Sequence, residues 1–239
     1  MNDSLPNQPP RQPAARFGGE TRVTTAMEDY LKAAYKLEQD GLAVTTLRLA
    51  EELGLSGPSV TNMVKRLDEL NLAVHNRYHG IALTDSGRRV ALEVIRHHRL
   101  LELYLSEALG YNLDEVHAEA ERLEHHVSEE LESRMERVLG YPRFDPHGDP
   151  IPDRDGHVPS IDDIPLDLMT QGQVGRVSRV SDRDTDRLSY LFSLGVKPGA
   201  RICVLDAMPF DGPIRVEVNQ VEQLLPHSVA QLVRVSPDY

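Results

Sequence analysis

Cysteine, long apolar runs and an apolar leader are scarce or missing in this chain of 239 residues. A single cysteine, Cys203, excludes an internal disulfide framework and any zinc site built from several cysteines. Its apolar neighbours favour a buried structural thiol over a reactive one. No apolar run approaches the roughly eighteen residues needed to span a bilayer, and the N-terminus lacks the apolar core of a signal peptide. We therefore expect a cytoplasmic globular protein with no membrane partner.

The charge is strongly negative but unevenly distributed. The formal net charge is −12, yet residues 1–96 carry 12 Lys and Arg against 12 Asp and Glu. Residues 97–239 carry 14 against 26 and hold the whole deficit. A neutral N-terminal part with locally basic surface can approach DNA, while an acidic remainder can attract cations. The charge therefore permits DNA binding without requiring it.

The N-terminal pattern predicts a helix-turn-helix. After a tail at residues 1–22, whose composition predicts disorder, a helix begins at Thr24 or Thr25 and ends at Gly41. Two short helices follow, the first over Thr45–Gly54 and the second beginning at Ser56, and their tight connection is typical of a helix-turn-helix. The small polar residues early in the second helix suit base edges, and its basic residues suit phosphates. The expected contacts on this helix are Ser56, Pro58, Ser59, Thr61, Asn62, Lys65 and Arg66.

Two short apolar segments at residues 72–75 and 81–84 predict a β-hairpin directly after the recognition helix. Such a hairpin is the wing of a winged helix, and Arg77 at its tip is the expected wing contact with DNA. The alternative is a helical hairpin inside some other α domain, and the wing makes that alternative weaker.

Long Leu-rich helices come next and suggest a helical dimerisation layer. One runs from a cap at Thr84 or Asp85 to Gly110 and carries His98 and Glu102 at i and i+4. A second is predicted from about residue 113 to 139.

The second long helix contains the stretch with the most chemical character, VHAEAERLEHHVS at residues 116–128. At about 100° per residue, His117, Glu121, Glu124 and His125 share one helix face. Two imidazoles and two carboxylates on one face can take a divalent cation with mixed nitrogen and oxygen ligands. A solvated acidic helix is the alternative, and the stretch alone does not decide between them.

The remainder divides into a loop and a β domain. The segment at residues 140–170 is rich in proline and acids and predicts a linker, in which we expect His147, Asp149 and His157 to be uncoordinated. From Gly172 onward, alternating strands separated by Gly/Pro turns, with one short helix near residues 184–194, predict a small β-barrel of SH3-like size.

The expected units are a tail (1–22), a winged helix-turn-helix (23–95), a helical dimerisation and metal-binding domain (96–145), a linker (146–169) and an SH3-like domain (170–239).

This order of elements resembles the DtxR/MntR family of metal-dependent transcriptional repressors. The resemblance covers the chain from Thr24 to its C-terminus and implies an α+β multidomain fold with a terminal FeoA-type, SH3-like β-barrel. The motifs that carry it are MEDYL (Met27–Leu31), SGPSVTNMVKRL (Ser56–Leu67), GIALTDSGR (Gly80–Arg88), HAEAERLEHH (His117–His126) and PHGDPIP (Pro146–Pro152).

The resemblance implies two metal positions. The primary one would use Asp29, Glu121, Glu124 and His125. Iron-responding members have Met and Cys where this chain has Asp29 and Glu121, whereas manganese-responding members have Asp and Glu. Hard carboxylates in place of soft sulfur shift the preference toward Mn²⁺, so we expect manganese, with Fe²⁺ or another divalent metal as a secondary possibility.

The second position would use His98, Glu102, His117 and Asp184, as in iron-type members. Binuclear manganese-type members place a Glu on the first helix where Lys32 stands here, and Arg187 stands where the family can place a Gln ligand. The sequence therefore looks like a hybrid, with a manganese-type primary site and an iron-type second site.

The resemblance implies a DNA-binding repressor of metal-uptake genes, not an enzyme, that binds a palindromic operator as a homodimer and needs no organic cofactor. Three alternatives remain open at this stage. First, the His/Glu helices could belong to a helical-bundle metalloenzyme. Second, an organic effector instead of a metal could regulate DNA binding by the winged helix. Third, the protein could activate transcription instead of repressing it.

Overall fold

The computed structural model describes residues 23–76, 80–113 and 115–238. The predicted tail at residues 1–22 and the predicted wing contact Arg77 lie outside the described residues. Among those described, no helix is long and apolar enough to cross a membrane.

The N-terminal unit has the predicted three helices and hairpin. Thr24, Thr45 and Ser56 each accept a backbone N–H at a helix start, which confirms them as N-caps. The hairpin strands pair antiparallel, from Ala73 opposite Leu83 to Asn76 opposite Gly80. The elements are α1 (Thr25–Gln39), α2 (Thr46–Leu53), α3 (Gly57–Glu69), β1 (Ala73–Asn76) and β2 (Gly80–Leu83).

Helix α4 (Asp85–Leu109) connects two cores. Its first half packs into the N-terminal core through residues such as Ile95, and its second half packs into a separate core through Leu100 and Leu101. The expected domain boundary at residues 95 and 96 therefore falls inside one continuous helix. Gly87 allows α4 to start close to the hairpin, because a Cβ there would meet the Leu72 carbonyl oxygen at 1.8 Å.

The predicted helix over residues 113–139 is wrong as a single element. The chain instead forms α5 (Val116–Leu123), a 3-10 turn (Glu124–His126) and α6 (Glu129–Val138). Val127 is extended, and the Ser128 side chain accepts the Leu131 N–H, so a new helix starts there. Glu124 and His125 are thereby turned away from the straight stripe that helical spacing predicts.

The C-terminal unit is a six-stranded antiparallel sheet around its own apolar core. The strand order is β3-β8-β4-β5-β6-β7, and the short helix expected near residues 184–194 is present as α7. The elements are β3 (Ile164–Pro165), β4 (Val174–Val180), α7 (Thr185–Ser193), β5 (Arg201–Ala207), β6 (Ile214–Val218), β7 (Val221–Leu225), α8 (His227–Ala230) and β8 (Val233–Pro237), with a 3-10 turn at Leu166–Leu168 after β3.

The segment between α6 and β3 is ordered by contacts with its neighbours. Asp145 accepts the N–H groups of His147 and Asp149, and the carbonyl of His147 accepts the N–H of Val180 on β4. Gly148 has a positive φ of 89°, and a Cβ there would meet the Ser178 carbonyl oxygen at 1.9 Å. The loop is therefore fixed against the β domain, and His147 is buried.

Candidate functional site

The expected metal ligands lie where α1 of the N-terminal unit meets α4, α5 and the 3-10 turn. Helix α4 brings the buried side chains of His98 and Glu102 to this junction. The 3-10 turn brings Glu124 and His125, and α1 brings Asp29. The junction therefore joins the unit that carries the helix-turn-helix to the helices that follow it.

Asp29, Glu124 and His125 form one group, which we call the α1 cluster. The Nε2 atom of His125 lies 2.8 Å from Asp29 Oδ1 and 3.5 Å from Glu124 Oε1. Its Nδ1 atom lies 2.6 Å from Glu28 Oε2 on the opposite side of the ring. A carboxylate at the far nitrogen fixes the tautomer that leaves the near nitrogen free as a ligand. Glu28 is absent from the sequence-based expectations, although it directly precedes Asp29.

The α1 cluster combines a half-exposed and a buried carboxylate. The Asp29 side chain is 44% exposed and that of Glu124 is fully buried. Burial raises the pKa of Asp29, and the His125 imidazole opposes that rise. Burial would also raise the pKa of Glu124, but His98 and Lys32 together hold it below its ordinary value. Glu124 is therefore an anionic oxygen ligand at neutral pH, with Asp29 accessible beside it.

Glu121, the fourth expected primary ligand, faces a lysine instead of Asp29. The Nζ atom of Lys32 on α1 donates to Glu121 Oε1 at 2.7 Å and to the two oxygens of Glu124 at 2.8 and 2.9 Å. Burial alone would lower the pKa of Lys32, but Glu124 and Glu121 more than offset this and raise it. The four expected ligands therefore divide into a group of three and a Glu121 carboxylate that is paired with Lys32.

Glu102 lies at the centre of a second group, which we call the Glu102 cluster. Its Oε1 atom lies 3.0 Å from His98 Nε2 and 3.1 Å from His117 Nδ1, and these two nitrogens are 3.2 Å apart. The other nitrogen of His98 lies 2.6 Å from Glu124 Oε2. His98 Nε2, His117 Nδ1 and Glu102 Oε1 therefore lie close enough together for one cation to be held by all three.

Asp182, between β4 and α7, also belongs to the Glu102 cluster. Its Oδ2 atom lies 3.4 Å from His117 Nδ1. Hydrogen bonding to Asp182, and then to Glu102, raises the pKa of His117 to about 9. The predicted barrel ligand, Asp184, lies elsewhere: its side chain accepts the Arg187 N–H at the start of α7 and pairs with the Arg187 guanidinium. The carboxylate that the β domain brings to this cluster is therefore Asp182, two residues before the Asp184 that the family resemblance implies.

The opposite side of Glu102 meets the loop residues Asp145 and His147. His147 is fully buried, and its Nδ1 atom lies 3.6 Å from Glu102 Oε2. Both ring nitrogens of His147 and Oε2 of Glu102 have no hydrogen-bond partner among the described residues. A buried polar atom left without a partner costs about 1–3 kcal/mol. His147 was expected to be uncoordinated, but it has surroundings that suit a metal ligand, in a group with Glu102 and Asp145.

The electrostatics of this second side also favour a cation. Burial would lower the pKa of His147, but the Glu102 carboxylate raises it to about 9. Burial and the neighbouring Asp149 raise the pKa of Asp145 well above its usual range. His147 thus holds a proton beside Glu102, and a divalent cation would take the place of that proton. The donor set of carboxylate oxygens and imidazole nitrogens fits Mn²⁺, Fe²⁺ or Zn²⁺.

The helix-turn-helix presents most of its predicted DNA contacts to solvent. Of the expected residues on α3 and its cap, all but Thr61 are exposed, and Thr61 is half-buried. The Thr61 hydroxyl donates to the Gly57 carbonyl oxygen at 2.9 Å, whereas Asn62 and Lys65 point away from the core. Arg66 pairs with Glu69 at 3.1 Å on the same surface.

Three family models match the chain in succession. The iron-dependent repressor N-terminal DNA-binding domain matches residues 22–81. The iron-dependent repressor metal-binding and dimerisation domain matches residues 84–153, and the FeoA domain matches residues 164–237. The matched ranges follow the three units of the fold.

Curated relatives match over most of their length. The iron-dependent repressor IdeR of Mycobacterium tuberculosis (strain ATCC 25618 / H37Rv) is 36% identical, with 87% of this chain and 95% of the relative covered. The diphtheria toxin repressor of Corynebacterium diphtheriae is 30% identical, with the same shares covered.

Solved structures match the whole architecture. A manganese-dependent transcriptional repressor in complex with manganese superposes with a TM-score of 0.84 at 40% identity, covering 89% of this chain and 100% of that one. The manganese regulator SloR superposes with a TM-score of 0.75 at 31% identity, covering 89% and 98%.

Proposed function

Because the chain belongs to the iron-dependent repressor family, we propose that it is a metal-dependent transcriptional repressor that binds operator DNA as a homodimer in the cytoplasm. The metalloenzyme alternative loses its support, since relatives that align over most of the chain are repressors. The alternative of an organic effector is also less favoured, because the charged side chains at the domain junction form groups that could hold cations.

One observation carries the proposal: the α1 cluster takes Asp29 from the DNA-binding unit and Glu124 and His125 from the helices beyond it. A bound divalent cation would supply the positive charge that holds these carboxylates together. Asp29 is on the same helix that packs behind the helix-turn-helix. Ligation at Asp29 would therefore fix the orientation of α3 relative to the dimer axis.

We propose manganese as the preferred ion of the α1 cluster. Its oxygen ligands are the hard carboxylates of Asp29 and Glu124, with Glu121 close enough to join after a side-chain movement because it already shares Lys32 with Glu124. Cys203 lies on β5 in the C-terminal unit, away from the cluster. Oxygen-rich ligand sets suit Mn²⁺, whereas thiolate ligands suit softer metals.

We propose the Glu102 cluster as the second metal centre. His98, Glu102 and His117 were expected there, and Asp182 takes the role expected of Asp184. Asp145 and His147 meet the other oxygen of Glu102, Oε2, and form a separate ligand group there. This centre joins α4 and α5 to the β domain.

The two centres act on a conformational equilibrium. Without metal, only Lys32 and His125 oppose the repulsion between Asp29 and Glu124, so α1 and the 3-10 turn are held less tightly. Ligation favours the arrangement in which both recognition helices of the dimer fit successive half-sites. Differential metal affinity of about 3–5 kcal/mol between the two arrangements is enough to convert a minor population into the dominant one.

The DNA interface is proposed to consist of the exposed face of α3, with Arg77 of the wing. Asn62 is placed to reach base edges, and Lys65 is placed to reach a phosphate. We expect Asn62→Ala to lose about 1–3 kcal/mol of discrimination between operator and random DNA. Lys65→Ala should weaken binding to both and lower the salt dependence by about one ion. Equal loss on both sequences for Asn62→Ala would make it a backbone contact.

Fluorescence anisotropy on candidate promoter DNA tests the proposed function. Metal-stripped protein is titrated with Mn²⁺, Fe²⁺ or Zn²⁺, or kept in chelator, at one stated salt concentration because affinity depends on salt. We expect Mn²⁺ to tighten binding at lower free concentration than Fe²⁺. Unchanged DNA affinity with every metal would overturn the proposal, and absent Mn²⁺ binding in calorimetry would favour an organic effector.

A further inference from the structure

Lys32 is a buried cation in the middle of a set of metal-type ligands. Only 5% of the residue is exposed, although lysine side chains almost always reach solvent. Its ammonium lies among Glu121, Glu124 and His98, a trio whose ligand atoms are close enough together to hold a metal ion. The Nζ atom is 2.7 Å from Glu121 Oε1 and 3.4 Å from His98 Nδ1.

The hydrogen bonding of this ammonium is complete. Its three N–H groups have three carboxylate oxygens within 2.9 Å, one from Glu121 and two from Glu124. Charge-assisted bonds of this length are the strong class. A lysine that served only for packing would have no need of two carboxylates, since a Met or Leu would fill the same space without a buried charge. The surroundings of Lys32 are therefore those of a specific cation site.

A metal ion and the ammonium cannot share this position. Divalent cations bind carboxylate oxygens at about 2.0–2.6 Å, so an ion held by Glu121, Glu124 and His98 would lie almost where Nζ lies. An ion in the α1 cluster would instead be held by Asp29 and His125, which make no hydrogen bond to Lys32 among the described residues, and it would share only Glu124 Oε1 with the ammonium. Lys32 thus blocks one of two adjacent cation positions and leaves the other open.

We propose that Lys32 is a resident cation that limits the junction between α1 and the 3-10 turn to one metal ion. The ammonium takes the place of a second ion between His98, Glu121 and Glu124. It also gives α1 a permanent link to the 3-10 turn that does not depend on metal, because Lys32 and Glu124 stay paired when metal is removed. This inference rests on the proposed function, since it concerns the number of ions that the regulator takes.

The charge of Lys32 also bears on the α1 cluster. Glu124 accepts a hydrogen bond from Lys32 and also belongs to the α1 cluster. The ammonium therefore cancels part of the negative charge that Glu124 could offer to a metal beside Asp29. We expect the lysine to weaken the first ion's binding as well as to exclude a second. A neutral side chain at position 32 should therefore raise both the number of ions and the affinity for the first.

The test compares Lys32→Met with the wild type and with Lys36→Met. Methionine is unbranched like lysine and has a similar helix preference, but it is one atom shorter and carries no charge. Lys36 is one turn further along α1, and its charge also acts on Glu121, but it donates no hydrogen bond to Glu121 or Glu124 in the described structure. It therefore controls for the general effect of removing a positive charge.

Metal content is measured by mass spectrometry after equilibrium dialysis against Mn²⁺. We expect Lys32→Met to hold one more Mn²⁺ per protomer than the wild type, and Lys36→Met to hold the wild-type number. The spin-resonance spectrum of the Lys32→Met protein should show a coupled Mn²⁺ pair, and adding Glu121→Gln should remove the extra ion.

Equal metal content in wild type and Lys32→Met, with both folded, would overturn the inference while leaving the proposed function intact. A wild type that binds no Mn²⁺ would instead contradict the proposed function.

Crystals of the wild type soaked in Mn²⁺ provide a second measurement that does not depend on a variant folding. We expect an anomalous peak beside Asp29 and His125 and none within bonding distance of both His98 and Glu121. A peak in the latter position would overturn the assignment of Lys32 as the resident cation.

Discussion

The α1 cluster and the Glu102 cluster have similar ligand types but different surroundings. The α1 cluster joins the DNA-binding unit to the helices behind it, and its Asp29 is half exposed. The Glu102 cluster joins those helices to the β domain, and Glu102 and His147 are fully buried. The accessible Asp29 carboxylate would let a metal bound in the α1 cluster exchange with solvent and so respond to supply. The buried cluster is suited to holding the β domain in place.

Glu124 and His98 connect the two clusters. Glu124 Oε1 faces His125 of the α1 cluster, and Glu124 Oε2 lies 2.6 Å from His98, whose other nitrogen faces Glu102. The clusters therefore share a chain of charge-assisted contacts. The α1 cluster is therefore suited to changing the position of the DNA-binding unit, whereas the Glu102 cluster is suited to keeping the helices and the β domain fixed relative to each other.

Matched Asp→Asn substitutions give the largest expected difference between the clusters. Asp29→Asn removes the ligand contributed by the DNA-binding unit, so we expect Mn²⁺ activation of operator binding to fall by at least about 100-fold, the upper range for losing even an outer-shell partner. Asp182→Asn removes a ligand on the β domain and should change activation by less than about tenfold. Anisotropy titrations of both variants measure this, and equal losses would show that the clusters act as one switch.

The pH dependence of stability should come mainly from the Glu102 cluster. The pKa of His117 is raised to about 9 by Asp182 and Glu102, and that of His147 is raised to about 9 by Glu102 against the effect of burial. A pKa raised by folding means that the protonated form stabilises the fold. That stabilisation is complete below about pH 6.5 and is lost as the pH rises through 9.

We therefore expect the free energy of unfolding of metal-free protein to decrease between pH 7 and 9, by on the order of a few kcal/mol. Urea denaturation at a series of pH values measures it. His147→Phe, which retains the ring stacked on Phe192, should show a shallower decrease. A metal-free wild type whose stability does not change over this range would contradict the ion pairing assigned to the Glu102 cluster.

Glu28→Gln tests the orientation of His125 in the α1 cluster. The Glu28 carboxylate lies 2.6 Å from His125 Nδ1, and its loss should free the ring to rotate. We expect the affinity for Mn²⁺ to fall by about tenfold, the lower range for losing an outer-shell partner. Calorimetric titration measures it, with Glu38→Gln on the same helix as a control. Unchanged affinity would mean that Glu28 plays no part in the centre.

The smallest expected effect is a change in metal preference at Glu121. Replacing this carboxylate by a thiol in Glu121→Cys should shift the response a few-fold from Mn²⁺ toward Fe²⁺, because sulfur is the softer ligand. The measured quantity is the ratio of the two metal concentrations at half-maximal DNA binding. A ratio that stays constant would show that Glu121 remains with Lys32 and takes no part in ligation.

Much of the fold is predictable from local signals. The caps at Thr24, Thr45 and Ser56 and the alternating burial along β6 depend on a few neighbouring residues, and the structure confirms them. The break in the predicted long helix is harder to foresee, because the spacing of His117 to His125 is compatible with a continuous helix. Strand β7 is also hard to predict, because the turn before it uses Asn219 and Gln220 at positive φ, without the glycine that usually marks such a hairpin.

The candidate site is predictable to the extent that its ligands lie on one helix or one motif. His98 and Glu102 are one turn apart on α4, and their proximity follows from helix geometry. Asp182 and His147 join Glu102 only through the packing of the loop and β4, which sequence spacing does not reveal. Lys32 departs from the family's pattern in the sequence itself, but its three carboxylate contacts depend on how α1 docks against the 3-10 turn.

The central claim is that metal in the α1 cluster fixes the recognition helices relative to each other. Double electron–electron resonance between spin labels at Asp68→Cys, an exposed position on α3, measures their separation in the homodimer, with Cys203→Ser removing the native thiol. We predict a broad distance distribution without metal that narrows to one distance with Mn²⁺, and no narrowing in the Asp29→Asn background. A distribution that Mn²⁺ leaves unchanged while operator affinity rises would contradict the account.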